Sequence, residues 1–238
     1  MAIILLNGPT ECGKGIAYTL IRAVYGAGDG RVKKRLHELA SCIFQVPEAL
    51  WEEREGKETP NPLLTVSTNE YYKLRKHIKL RQYDYELGNP EYSIRLTPRE
   101  ALIYVSEVFA KPLFGQDYFG RERLKLIAAP GLYVCDSTGF NAELEGLNPA
   151  DTMIIQVIGR GKFSTSDTRG YVHLPGAYSV TINNAGTVQE YLGDIERTVD
   201  QWVTTLPASV HPDFGRCGAA KLEAESRMPP VSILPGGV

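Results

Sequence analysis

The 238-residue sequence predicts an α/β fold, a parallel sheet flanked by helices. Three observations lead there. Ala2-Ile3-Ile4-Leu5-Leu6-Asn7 is a short, unbroken apolar run, as a strand covered on both faces requires. A glycine-rich loop carries it into a segment with apolar residues at helical spacing, Ala17, Leu20, Ile21 and Val24. Further apolar runs then alternate with capped helical segments, and such alternation implies right-handed crossovers within one parallel sheet.

The loop after the first strand reads Gly8-Pro9-Thr10-Glu11-Cys12-Gly13-Lys14 and fits G-x-x-x-x-G-K. Glycines let backbone N–H groups converge on phosphate oxygens, and the positive N-terminal end of the next helix faces the same anion. The predicted nucleotide-binding residues are therefore Gly8, Pro9, Thr10, Glu11, Cys12, Gly13, Lys14, Gly15 and Ile16. Lys14 would reach the β- and γ-phosphates. Strand, loop and helix in this order predict a P-loop NTPase-type sheet. The motif usually continues with Ser or Thr, whose hydroxyl ligates Mg²⁺, but here Gly15 and Ile16 follow. The metal must then be held through phosphate oxygens, water and an acid elsewhere.

Residues 26–30 read as a loop, and 33–44 as a helix with Leu36, Leu39, Ala40, Ile43 and Phe44 on its apolar side. Arg31, Lys33, Lys34 and Arg35 make its start basic, either a solvated face or a clamp for an acceptor phosphate. Residues 46–65 are polar and broken by Pro47, Pro60 and Pro62, which suggests a substrate-binding flap over the surface. Between 67 and 93, Tyr71, Tyr72, Tyr83 and Tyr85 alternate with Lys73, Arg75, Lys76, Lys79 and Arg81. That pattern fits a partly exposed helix and loop, or a surface that stacks a nucleotide or single strand.

Thr97-Pro98-Arg99-Glu100 is a capping box with Pro at the first helical position, and its helix runs on through Leu102, Val105, Phe109 and Leu113. Strands follow at 131–136, 153–158 and 179–183. A second capping box, Thr187-Val188-Gln189-Glu190, opens a helix apolar at Tyr191, Leu192, Ile195, Val199, Trp202, Val203 and Leu206. Residues 207–238 hold Pro207, Pro212, Pro229, Pro230 and Pro235 and read as a loosely packed or disordered tail. One domain over 1–206 is expected, with an acceptor-binding insertion at about 46–96 and a lid at about 159–172.

Composition narrows the class. Hydrophobic residues make up 43% and charged residues 23%, ordinary for a soluble globular chain. A net charge of −2 supplies no global field for nucleic acid or anionic membrane, although a local basic groove is compatible with it. Cys12, Cys42, Cys135 and Cys217 form no C-x-x-C pair, which argues against zinc or a disulfide framework and for reduced thiols in a cytosol. The N-terminal apolar run is too short for a signal peptide, and no run approaches membrane-spanning length.

Ligands of such sheets bind beyond the carboxyl ends of the strands. Asp136 ends the second strand, where a carboxylate can hold Mg²⁺, so it is both the predicted metal ligand and a predicted catalytic residue. Gly159-Arg160-Gly161-Lys162 through Arg169-Gly170-Tyr171 is basic and glycine-flanked, as a lid would be. Arg160 and Arg169 could stabilise charge on a transferring phosphoryl group.

The order of these segments resembles the phage deoxynucleoside monophosphate kinases, a branch of the P-loop nucleotide kinases, over roughly residues 1–205. The pieces that match are the Gly8–Lys14 loop, the 33–44 helix, Arg54-Glu55-Gly56-Lys57-Glu58-Thr59-Pro60, and Thr97-Pro98-Arg99-Glu100-Ala101-Leu102. The strand ending at Asp136 with Glu143 beyond it, the Arg160–Arg169 segment and Asn183-Asn184-Ala185-Gly186-Thr187 complete the series. The resemblance implies ATP-dependent, Mg²⁺-assisted phosphoryl transfer to a deoxynucleotide in the cytoplasm, the host's if the chain is phage-encoded. It places acceptor contacts on Lys33, Lys34, Arg35 and Arg99, and catalytic contacts on Lys14, Asp136, Arg160 and Arg169. The family often carries Asp-x-Arg after the second strand, whereas here the run is Asp136-Ser137-Thr138. That departure, with the Tyr/Lys/Arg-rich middle, keeps a second acceptor in view: the hydroxymethyl group of 5-hydroxymethyluracil within DNA. A neutral alcohol gains from a general base, for which Asp136, Glu11 and Glu107 are candidates. A nucleotide-binding module without transferase activity is a third reading. No membrane partner is expected, and the oligomeric state is open, a homodimer included.

Overall fold

The computed structural model describes residues 1–52, 56–78, 93–163 and 169–206. In chain order the elements are β1 (Ala2–Asn7), α1 (Lys14–Tyr25), β2 (Gly28–Asp29), α2 (Lys33–Phe44), α3 (Ala49–Glu52), β3 (Thr65–Ser67), α4 (Thr68–Leu74) and β4 (Ser93–Arg95). Then come α5 (Pro98–Ile103), a π-helical stretch (Tyr104–Ala110), α6 (Lys111–Phe114), α7 (Tyr118–Leu126), β5 (Leu132–Cys135), β6 (Thr152–Ile158), β7 (Tyr178–Asn183) and α8 (Val188–Val203).

β1 is the middle strand, and all six of its residues are buried. It pairs in parallel with β5, Ile3 beside Tyr133, and with β6, Ile4 beside Met153. β2 extends the sheet beyond β5 and β7 beyond β6, so the order is β2-β5-β1-β6-β7 and every pairing is parallel. The period of two along a strand sends alternate residues to opposite faces. Ala2, Ile4 and Leu6 therefore pack with Ala17, Ile21, Ile195, Val199 and Trp202 of α1 and α8. Ile3 and Leu5 pack on the other face with Ile127, Leu144, Leu147 and Val172. Helices on both faces explain why the strand is apolar without alternation.

The described residues within 33–126 build a second body, with a core of its own around Ala40, Trp51, Leu64, Tyr71, Leu74 and Val105, while Leu124 of α7 packs with the sheet. β3 and β4 form an antiparallel pair there, Val66 beside Ile94. Both predicted capping boxes form. Thr97 Oγ1 accepts from Glu100 N at 3.1 Å while Glu100 Oε2 accepts from Thr97 N at 2.8 Å, and Thr187 and Glu190 repeat the exchange.

Several expectations need correction. The 26–30 loop contains β2, two residues paired with Tyr133 and Val134. The segment after Thr97 is not one α-helix, because the 104–110 stretch opens into π geometry. α7 gives no clear apolar periodicity in the sequence, since Arg123 lies inside where an apolar residue would be expected. Arg54, Glu55, Lys79, Arg81, Tyr83, Tyr85, the centre of the expected lid (164–168) and the 207–238 tail lie outside the described residues. No helix among the described residues is long and apolar enough to cross a membrane.

Candidate active site

The β1–α1 loop owes its shape to close packing. Gly13 sits at φ 101°, and a Cβ there would lie 2.5 Å from Asn184 Nδ2, so only glycine fits. At Gly8 a Cβ would meet the Val157 carbonyl oxygen at 2.5 Å. From beneath, Asn184 Nδ2 donates to the Cys12 carbonyl at 2.9 Å, and the Tyr191 hydroxyl donates to that of Gly13 at 3.4 Å. Burial raises the Tyr191 phenol, which keeps it a donor. Lys14 Nζ turns into the loop and donates to the Gly8 and Pro9 carbonyls at 2.7 and 2.5 Å. Pro9 and Cys12 are buried, whereas Thr10, Glu11, Gly15 and Ile16 are exposed. α1 starts with neither a side-chain cap nor an acid in its first turn. Its leading amides thus keep their affinity for an external anion.

Asp136 follows β5 and faces Lys14 across a narrow cleft of about 30 Å³ that Thr10, Ser137 and Arg169 also line. Burial raises the Asp136 carboxyl, and the Arg31 and Lys14 cations pull it back only in part. At the end of β2, burial acts to raise Asp29, but hydrogen bonds from Arg31 hold it below the usual carboxylate range. Arg31 reaches Asp29 at 2.9 Å and lies over the Tyr18 ring, 4.1 Å from its centroid. It is thereby a fixed cation between two carboxylates.

The sequence reading missed Asn7. Its Nδ2 donates to the Thr138 and Gly170 carbonyls at 2.9 and 3.1 Å, and its Oδ1 accepts from Val172 N at 2.9 Å. One buried amide thus joins the end of β1 to the Asp136 loop and to the stretch after Arg169. The signal was a polar residue closing an apolar strand.

The chain matches no protein-family model, and no curated protein is significantly similar to it in sequence.

A cavity of about 590 Å³ opens between the sheet edge and the 33–126 body. Leu36, Trp51, Ile78, Leu102, Phe119 and Phe140 give it apolar walls, and Lys33, Lys57, Arg99 and Glu107 are among its polar residues. Ser137 and Arg169 line both this cavity and the narrow cleft, so the two share a wall. Of the expected acceptor residues, Lys33 and Arg99 reach the cavity, and Arg99 Nε bonds Glu58 at 2.5 Å. Lys34 is exposed and does not line it. Arg35 turns to Glu38, the Tyr118 hydroxyl and Glu122 at 3.1, 3.4 and 3.5 Å. Arg160 is exposed, lines neither space, and donates to the Gly186 carbonyl at 2.7 Å. Glu143 is buried in the cavity wall. Burial raises its carboxyl despite Arg123 nearby, and it accepts from Gly139 N at 3.5 Å. Glu11 stands exposed at the loop tip, away from the cavity lining, which leaves Asp136 and Glu107 as the inward candidates for a base. Among the described residues, no three His, Cys, Asp or Glu side chains are grouped to hold a metal ion by themselves.

Proposed function

We propose that this chain is an ATP-dependent phosphotransferase of the P-loop nucleotide-kinase type, transferring the γ-phosphate to a deoxynucleotide. The favoured acceptor is a deoxynucleoside monophosphate, with a modified pyrimidine base included. The observation that carries this reading is the shared wall. Arg169 and Ser137 border both the Lys14–Asp136 cleft and the larger cavity, so a donor phosphate and an acceptor can meet there.

The donor set fits a metal-bound triphosphate. The open first turn of α1, the Lys14 ammonium and the Asp136 carboxylate lie together, and Asp136 is the one carboxylate among the described residues lining the cleft. Mg²⁺, when bound, neutralises charge between the β- and γ-phosphates. Lys14 exchanges its bonds to the Gly8 and Pro9 carbonyls for phosphate oxygens, so its charge is placed before substrate arrives. The Arg169 guanidinium meets negative charge developing on the transferred group. The apolar walls orient the acceptor and exclude water. Catalysis is then mainly positioning and electrostatics.

DNA containing 5-hydroxymethyluracil is the second acceptor. Two of the four expected phosphate-binding cations are tied to carboxylates, Arg35 to Glu38 and Glu122 and Arg99 to Glu58, which weakens the case for a dianion clamp.

Both readings are tested with γ-labelled ATP and Mg²⁺, offering free deoxynucleoside monophosphates beside DNA containing 5-hydroxymethyluracil. Label on a free monophosphate identifies a nucleotide kinase; label on DNA alone identifies a DNA-modifying kinase. Lys14→Ala should cut transfer about 100- to 1,000-fold while leaving the fold intact. Full activity in that variant, or ATP binding with no turnover over any acceptor, would overturn the proposal.

A further inference from the structure

The larger cavity has a polar end for which phosphate binding gives no reason. It is built on the π-helical stretch Tyr104–Ala110, a geometry that recurs at functional sites. Ser106 and Glu107, adjacent in sequence, both line the cavity from it. Glu107 is fixed in place. Its Oε1 accepts from Lys111 Nζ at 2.6 Å and from Ser106 Oγ at 2.9 Å. Lys111 is 2% exposed, and its ammonium lies 3.5 Å from the Phe140 ring centroid. A buried ammonium without a carboxylate partner would be strongly destabilising, so this pair holds its geometry.

Both donors go to the same oxygen. Oε2 makes no hydrogen bond to any described residue. Ser106, having donated its proton, presents lone pairs alone. Glu107 Oε2 and the Ser106 oxygen therefore offer hydrogen-bond acceptors to the cavity, which the Phe140 ring also lines. Their complement is a planar group with N–H donors on one edge, which describes a nucleobase.

We propose that Glu107, supported by Ser106, reads the acceptor's base by accepting a hydrogen bond from its N–H edge. This rests on the kinase reading above and names a specificity residue within it. Lys111 is the positioning residue, and the ribose and phosphate are left to the cavity's cations, Lys33 and Arg169 among them.

The test is equilibrium binding, without ATP, of dTMP, dCMP, dAMP, dGMP and 5-hydroxymethyl-dUMP, with deoxyribose 5-phosphate as the baseless control. The preferred nucleotide is then measured again with its donor nitrogen methylated. The double variant Glu107→Gln/Lys111→Met removes carboxylate and cation together, so no buried charge is left unpaired. Loss of one charge-assisted hydrogen bond should weaken the preferred nucleotide about 10- to 100-fold, both in the variant and on methylation. Binding of deoxyribose 5-phosphate should not change. If wild type binds and phosphorylates an acceptor but the double variant keeps the same base preference, Glu107 is not the reader and the kinase reading survives. If wild type neither binds nor phosphorylates any member of the panel or a 5-hydroxymethyluracil oligonucleotide, both fall. Should the double variant not fold, Ser106→Ala decides, with a smaller loss confined to base-bearing ligands expected and an unchanged preference overturning the assignment.

Discussion

The β1–α1 loop and the 33–126 body border the same site but are stabilised in different ways. The loop hangs from the most buried strand in the sheet, and atoms packed against its glycines dictate its backbone. The body is assembled from short helices, two three-residue strands and a π turn around a core of its own. Phosphate binding needs backbone amides at fixed positions, which a packed strand end can supply. In the proposed reading the acceptor is recognised by side chains, which can vary on the 33–126 body while the loop keeps its backbone.

That separation can be broken experimentally, and the largest effect should come from the body. Trp51 is 1% exposed and donates its indole N–H to Ser41 Oγ at 2.8 Å. Trp51→Ala should cost about 3–5 kcal/mol in urea unfolding. ATP affinity should persist wherever the variant is folded; affinity lost in step with stability would show the two regions to be one cooperative unit. An intermediate effect is expected at the sheet edge. Burial raises the Asp136 carboxyl above its ordinary 3.8, so the folded chain holds that proton more tightly than the unfolded chain does. The corresponding stability is complete below about pH 3.8 and is lost as pH rises through the raised value. Asp136→Asn should match wild type in acid, unfold at higher urea than wild type at neutral pH, and lose phosphoryl transfer. Equal urea midpoints at neutral pH would mean that Arg31 and Lys14 fully offset the burial. The smallest effect belongs to Gly15, where a Cβ meets nothing within 4 Å. Gly15→Ser should change stability by less than about 0.5 kcal/mol. It should also lower the Mg²⁺ concentration needed for half-maximal activity, and an unchanged Mg²⁺ dependence would place the metal away from that position.

The same contrast governs what could be read from residues alone. β1, β5 and β6 were legible as unbroken apolar runs, and α8 as an amphipathic helix with a strong 3.6-residue period. Both capping boxes were legible because the geometry demands those residue types. β2 was not, since two residues have no period. The antiparallel pair of β3 and β4 was not legible, because each strand has only three residues and they pair across more than twenty intervening positions. α7 was obscured by Arg123, which is buried to meet Glu143 against the usual sense of its polarity. In the site, Lys14 and Asp136 follow from strand–loop logic. The basic run 31–35 does not sort itself by sequence, because helical phase and the neighbours on α7 send Lys33 inward and Arg35 outward. Arg31 takes a role at the β2 end that only pairing with Asp29 reveals.

β1 precedes both of its partners in the chain, which begin only at Leu132 and Thr152. During synthesis this apolar strand therefore waits, with both edges unpaired, until the whole 33–126 body and two further strands have left the ribosome. Pairings that distant in sequence close slowly and leave aggregation-prone edges exposed meanwhile. Placing the loop strand at the centre of the sheet packs the site's backbone on both sides in the finished protein, and leaves that strand's edges open for a long stretch of synthesis.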